Sequence, residues 1–239
     1  MDTNFLLIGL IILFASFTQG LTGFGYALIS IPLIALIVDI RYAVTLGALC
    51  GLVMNIYLIV QLRGHLNFTD VKNLIIGSIV GIPAGVYFLS SLNPQMLKIF
   101  LGILIIIFVL MSLTQFIKPR GINKKFGYLF GLASGILGGA FNTNGPPVLI
   151  YFYLHGWNKF KQKASITAFF MVSSIIIVTS HAVSGLTTSA VLFDFLKLSP
   201  FLLAGLITGA GLFPKVSTEI YNKIILFGLL AISIFLILG

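Results

Sequence analysis

Runs of about 20 apolar residues, repeated along the whole chain and joined by connections too short to fold alone, constrain this sequence more than any motif. Eight such stretches lie between charged positions: Phe5 to Ile37, Ala43 to Leu62, Val71 to Ser90, Met96 to Phe116, Phe126 to Leu154, Ala164 to Val183, Phe195 to Phe213 and Ile220 to Leu238. Each is long enough to cross a bilayer, since a spanning helix needs roughly 20 residues. Only 8% of the 239 residues are charged and 59% are hydrophobic, far from the soluble norm of about a quarter charged. The expected fold is therefore an all-α integral membrane protein, residues 1–239 forming a single membrane domain with no attached catalytic module.

Several classes fall away at once. Met1-Asp2-Thr3-Asn4 lacks the basic flank of a secretory signal, so the first stretch is expected to be retained. Cys50 is the single cysteine and no Cys/His cluster has metal-ligand spacing, so neither a disulfide nor a metal site is expected, and no cofactor. The net charge of +9 does not point to nucleic acid, because the basic residues flank apolar spans, where lipid headgroups and orientation explain them.

Charge placement bears on the number of crossings. If all eight stretches cross once, Lys and Arg divide seven against seven between the two sides. If Phe126 to Leu154 enters and leaves on one side, the division is eleven against three, leaving only Arg41, Lys98 and Lys197 opposite. Positive charge accumulates in short cytoplasmic loops. The second arrangement is preferred, with Lys118 to Lys125 and Lys159 to Lys163 in cytoplasmic loops of a multi-pass plasma-membrane protein and both termini outside.

The interior of that stretch agrees. Gly135-Ile136-Leu137-Gly138-Gly139-Ala140-Phe141-Asn142-Thr143-Asn144-Gly145-Pro146-Pro147 interrupts any helix, because the prolines lack amide donors and clash with the preceding turn. As one rod the 29 residues would reach about 43 Å, beyond the ~30 Å apolar layer. Two half-helices of some 13 and 10 residues meeting near the midplane fit better. A similar break stands at Gly20-Leu21-Thr22-Gly23-Phe24-Gly25, either a second hairpin or a kink in one span. An offset of 115 carries Gly20 onto Gly135, Gly23 onto Gly138 and Pro32 onto Pro147; an offset of 128 carries Gly77 onto Gly205 and Gly81 onto Gly209; 126 relates Gly102 to Gly228. The chain thus reads as a duplication, residues 1–118 and 122–239, each a broken hairpin plus three crossings. An odd number of side changes per copy makes the second an inverted repeat.

The runs Gly20-Leu21-Thr22-Gly23-Phe24-Gly25 and Gly138-Gly139-Ala140-Phe141-Asn142-Thr143-Asn144-Gly145-Pro146-Pro147 resemble the two signature regions of the TauE/SafE sulfite exporter family, and the resemblance covers the whole chain. It implies membrane transport of sulfite, sulfonates such as sulfoacetate, and related sulfur-containing anions.

At each break a half-helix begins near the midplane with free amide donors at the positive end of its dipole, an arrangement that attracts an anion. The candidate substrate-binding residues are Gln19, Gly20, Thr22, Gly23, Phe24 and Gly25 at the first break, Asn142, Thr143, Asn144, Gly145 and Pro146 at the second, and Asn55 in the second stretch. Asn144 or Gly145 is the expected cap before Pro146. Together they form an expected cage of neutral donors without a fully buried Lys or Arg. Asn55 serves either the cavity or a neighbouring backbone; Ser173 and Ser174 are weaker candidates; His181, His65 and His155 read as structural or interfacial.

Asp2, Asp39, Asp70, Asp194 and Glu219 all fall at or near expected loops, so no carboxylate proton relay is expected at mid-membrane. The broken segments offer amides, hydroxyls and glycines in place of a nucleophile with a base, which argues against an enzyme. A transporter of a small anion is the leading reading, export being electrically downhill from a cell negative inside; import, or an assembly scaffold, is the alternative.

Overall fold

The computed structural model describes residues 3–62, 68–114, 121–155, 157 and 159–212. The eighth expected stretch, residues 220–238, lies outside them, as do His65, Lys118 and Glu219. Every element among the described residues is helical: α1 (Thr3–Thr22), α2 (Tyr26–Ala35), α3 (Ile40–Gln61), α4 (Phe68–Ser91), α5 (Pro94–Thr114), α6 (Phe126–Phe141), α7 (Gly145–Leu154), α8 (Lys159–Val183) and α9 (Ser189–Leu212). Among these, α1, α3, α4, α5, α8 and α9 are long and apolar enough to cross a membrane, whereas α2, α6 and α7 are shorter.

Small polar residues start several helices by giving orphan amides an acceptor. Asp39 Oδ1 accepts from Arg41 N at 2.8 Å before α3, Asn93 Oδ1 accepts from Gln95 N at 2.8 Å around Pro94 of α5, and Asn123 Oδ1 accepts from Lys125 N at 2.9 Å before α6. The outer faces carry large exposed apolar side chains, among them Leu10, Phe14, Val80, Tyr87, Leu110, Leu196 and Ile207. Such a surface suits hydrocarbon, and the chain is a multi-pass membrane protein.

Inside, glycines let backbones touch. A Cβ on Gly77, Gly81 or Gly85 of α4 would run into the carbonyl oxygens of Tyr128, Leu132 and Ile136 on α6. In the same way Gly205 and Gly209 of α9 face Leu13 O and Phe17 O of α1, while Gly20 faces Leu206 O and Gly135 faces Ser78 O. Small residues at such crossings allow the close packing on which helix association in lipid depends. The central helices α3 and α8 pack on each other, α4 also touches α8, and α9 also touches α3.

The ends are tied by different chemistry. Arg41 Nε donates to Leu89 O at 3.0 Å and its Nη2 to Leu92 O at 2.7 Å, covering orphan carbonyls at the C-terminal end of α4. Near the other end of α4, Asn73 Nδ2 donates to Lys124 O at 2.9 Å and Asp70 pairs with Lys161 at 3.0 Å. Gly121 N donates to Leu154 O at 3.0 Å, which holds the start of the α6 segment beside the end of α7.

Two local expectations change. Helix α1 runs on through Gly20, Leu21 and Thr22, because Gly20 packs on the α9 backbone; the break is confined to residues 23–25. Asp194, expected at or near a loop, stands in the second turn of α9 and accepts a hydrogen bond from the Tyr42 hydroxyl of α3.

Candidate functional site

The two breaks meet. A cavity of about 40 Å³ is lined by Gln19, Phe24, Gly25, Tyr26, Ala27 and Leu28 from the first break, by Asn142, Thr143, Asn144, Gly145 and Pro146 from the second, and by Gly51, Asn55, Phe170 and Ser174 from α3 and α8. Nine of the twelve candidate residues thus share one cavity. Gly20, Thr22 and Gly23 are not among its lining residues: Gly20 faces α9, Gly23 lies under a lysine side chain, and the single Thr22 hydroxyl proton lies between Thr18 O at 2.9 Å and Phe24 O at 2.6 Å, stabilising the turn.

The first break turns on two glycines, Gly23 at φ +87° and Gly25 at φ +102°, a region that side-chain-bearing residues avoid. Gln19 bridges the gap. Its Oε1 accepts from Tyr26 N at 3.3 Å at the start of α2, and its Nε2 donates to Asn55 Oδ1 at 3.4 Å on α3. Asn55 Nδ2 in turn donates to Phe170 O on α8 at 3.3 Å, so it does both of the jobs the sequence left open.

At the second break Asn142 closes α6 in the left-handed region, φ 51°, its N donating to Gly138 O at 2.7 Å. Thr143 Oγ1 donates to Phe141 O at 2.9 Å. Asn144 occupies the cap position of α7, yet its side chain makes no capping bond; Nδ2 reaches across to Ser173 Oγ on α8 at 2.9 Å. Among the described residues no acceptor meets the amides of Ala27 and Leu28 in the first turn of α2, or those of Asn144 and Gly145 at the start of α7. All four belong to cavity-lining residues. Gly23 N donates to Gln19 O at 2.7 Å and Phe24 N to Thr22 Oγ1 at 3.3 Å, so of the donors expected at Gly23 to Gly25 only the Gly25 amide stays free among the described residues; with Ala27 and Leu28 it makes α2 the richer donor end, since Pro146 and Pro147 carry no N–H.

Gly51, Phe170 and the first turn of α2 were not singled out from the sequence. Gly51 had a signal: it precedes Asn55 by four residues and so shares its helical face. His181 is fully buried and its Nε2 donates to Gly139 O at 3.1 Å, while His155 Nδ1 donates to Tyr151 O at 2.8 Å; both are structural in these contacts.

Lys163 departs most from expectation. Instead of lying in a basic loop it stands in the second turn of α8, 6% exposed, with Nζ donating to Gly20 O at 3.3 Å. Residues two apart on a helix point about 200° from each other. Lys161 therefore faces outward, to Asp70 and 4.3 Å above the Trp157 ring, while Lys163 turns inward. The surroundings of the breaks are not free of buried cations.

Residues 8–236 match the family described as "Sulfite exporter TauE/SafE". A curated relative, "Probable sulfite/organosulfonate exporter TauE" of Cupriavidus necator, is 24% identical over 225 residues, covering 90% of this chain and 86% of the relative. No solved structure matches the chain.

Proposed function

Since this chain belongs to the sulfite exporter TauE/SafE family, we propose that it carries a small sulfur-containing anion, sulfite or an organosulfonate such as sulfoacetate, out of the cell through the cavity between its two breaks. The observation that carries this reading is the cavity itself: two helix starts with free amides, plus Asn142, Thr143, Asn144, Gln19 and Asn55, all surrounding about 40 Å³. That volume exceeds the room one water needs and suits one compact oxyanion. Helix starts attract negative charge and can replace part of its hydration shell.

The packing supports an inverted repeat. The offsets of 115 and 128 carry the Gly77–Tyr128 contact onto Gly205–Leu13, Gly81–Leu132 onto Gly209–Phe17, and Gly20–Leu206 onto Gly135–Ser78. Offsets found separately in two parts of the sequence thus relate contacts to contacts. The α1–α2 unit leads into α3 beside the C-terminal end of α4, at Arg41, while α6 and α7 open beside the N-terminal end of α4, at Asn73. Opposed openings are what two re-entrant hairpins of inverted topology produce, and they bring both breaks to one central site.

Orientation follows from the same ends. Lys72, Lys124, Lys125 and Lys161 gather near the α6–α7 opening, and Arg41, Lys98 and Lys197 near the other. Positive charge favours the cytoplasmic face, so the α6–α7 hairpin opens inward. An anion leaving a cell negative inside gains about 2.3 kcal/mol per charge per 100 mV, so outward movement needs no coupling ion.

The test is electrical. Purified protein in proteoliposomes on a solid-supported membrane receives pulses of sulfite, sulfoacetate, thiosulfate, sulfate and acetate against a neutral control. Currents selective for one or two sulfur anions support the reading; no current and no anion-induced thermal shift would refute it.

A further inference from the structure

We infer that Lys163 is the charged support of the cavity and determines how strongly it prefers a doubly charged anion to a singly charged one of the same shape. The inference rests on the reading of the cavity as an anion site and adds a residue that does not line it.

The geometry places a cation directly behind the first break. Lys163 Nζ donates to the carbonyl of Gly20 at 3.3 Å, and Gly20 follows the cavity-lining Gln19. Its stem lies along Gly23: a Cβ there would stand 3.0 Å from Lys163 Cγ, 3.5 Å from Cε and 3.6 Å from Cδ. Gly23 in turn precedes Phe24 and Gly25, which line the cavity. The side chain thus spans the outer side of the turn whose inner side faces the ligand space.

Two physical consequences follow. Helix α1 ends at Thr22, so the carbonyls of its last turn present the negative end of a dipole close to where an anion would sit. An ammonium on Gly20 O offsets that unfavourable field and leaves the positive start of α2 dominant at the cavity. A neutral amide would satisfy Gly20 O equally well, while burial makes an ammonium costly to keep; what the charge adds is long-range attraction. That attraction scales with the ligand's charge, whereas a bond that merely braces the turn affects all ligands alike. For charges on the order of 10 Å apart in an effective dielectric constant of about 20, Coulomb's law gives about tenfold in the affinity of a monoanion and about a hundredfold in that of a dianion.

Sulfate and methanesulfonate, both tetrahedral sulfur oxyanions but of charge two and one, are the probes. Their affinities are measured by calorimetry on the full-length protein at pH 7.5, for wild type, Lys163→Gln and Lys163→Arg. The expected result is a wild-type preference for sulfate that falls about tenfold in Lys163→Gln and is retained in Lys163→Arg. An equal loss for both anions, or no loss, overturns the inference and leaves the anion site standing. A wild-type protein that binds both but does not prefer sulfate overturns it too, and this arm needs no variant to fold. If the wild type binds neither probe nor any other sulfur anion, the reading of the cavity fails, and the role of Lys163 with it.

Discussion

Asn144 Nδ2 donates to Ser173 Oγ at 2.9 Å, while the Asn144 carbonyl accepts from the Ser134 hydroxyl, so a single residue ties the second break to both α6 and α8. Asn144 also lines the cavity. Replacing Asn144 with Ala removes a side-chain bond worth about 1 kcal/mol and reshapes the break around its amide. We expect anion affinity to fall about tenfold or more, and Ser173→Ala to show a smaller loss, read as the half-saturating concentration of sulfite-evoked current. Unchanged currents in both variants would place the anion elsewhere.

The backbone contacts between α4 and α6, and between α9 and α1, make a separate prediction. Gly81→Ala and Gly209→Ala each push a methyl into a carbonyl of the facing helix, and such overpacking costs about 1–3 kcal/mol. Gly211→Ala is the control, since among the described residues nothing lies within 4 Å of its position. Thermal unfolding in detergent should show a lowered Tm for the first two and an unchanged or slightly raised one for the third.

At Gly25 space and conformation part company. A Cβ there would make only an ordinary 3.4 Å contact with Thr18, but φ is +102°. Gly25→Ala therefore tests backbone strain alone, expected at about 1–3 kcal/mol. Because Gly25 lines the cavity, anion affinity should fall along with Tm; a variant with wild-type values for both would show that the break does not need the left-handed conformation.

Orientation can be checked with the protein's own cysteine out of the way. Cys50 is 1% exposed, so a membrane-impermeant maleimide should leave the folded wild type unlabelled. Single cysteines then report the two ends: Gln95→Cys should label on intact cells, and Lys125→Cys only after the membrane is opened. The reverse pattern would invert the proposed topology.

Much of this was legible in one dimension. Apolar runs of membrane length, glycine and proline breaks, and a preference for basic residues on one side are local properties, set by what each residue can do to its own backbone or in lipid. They identified the all-helical membrane fold, a break within residues 135–147 that the structure narrows to 142–144 because α6 runs on through Phe141, and most of the residues that meet at the cavity. The glycine run at residues 20–25 located the first break; the structure narrows it to residues 23–25 because Gly20, read as a breaker, is held in helix by close contact with α9.

Local chemistry along the chain therefore set its solvent, its helices and where those helices cannot continue. Which donors remain free at the breaks and which way Lys163 points were set by packing between helices. The free amides at Ala27 and Leu28 depend on where α2 starts and on Gln19 already occupying the amide of Tyr26. Lys161 and Lys163 look alike in sequence, yet one meets Asp70 and the other Gly20. The reason is geometric: a helix sends neighbouring side chains in different directions, and only the packing of other elements around it determines which direction is solvent and which is the interior.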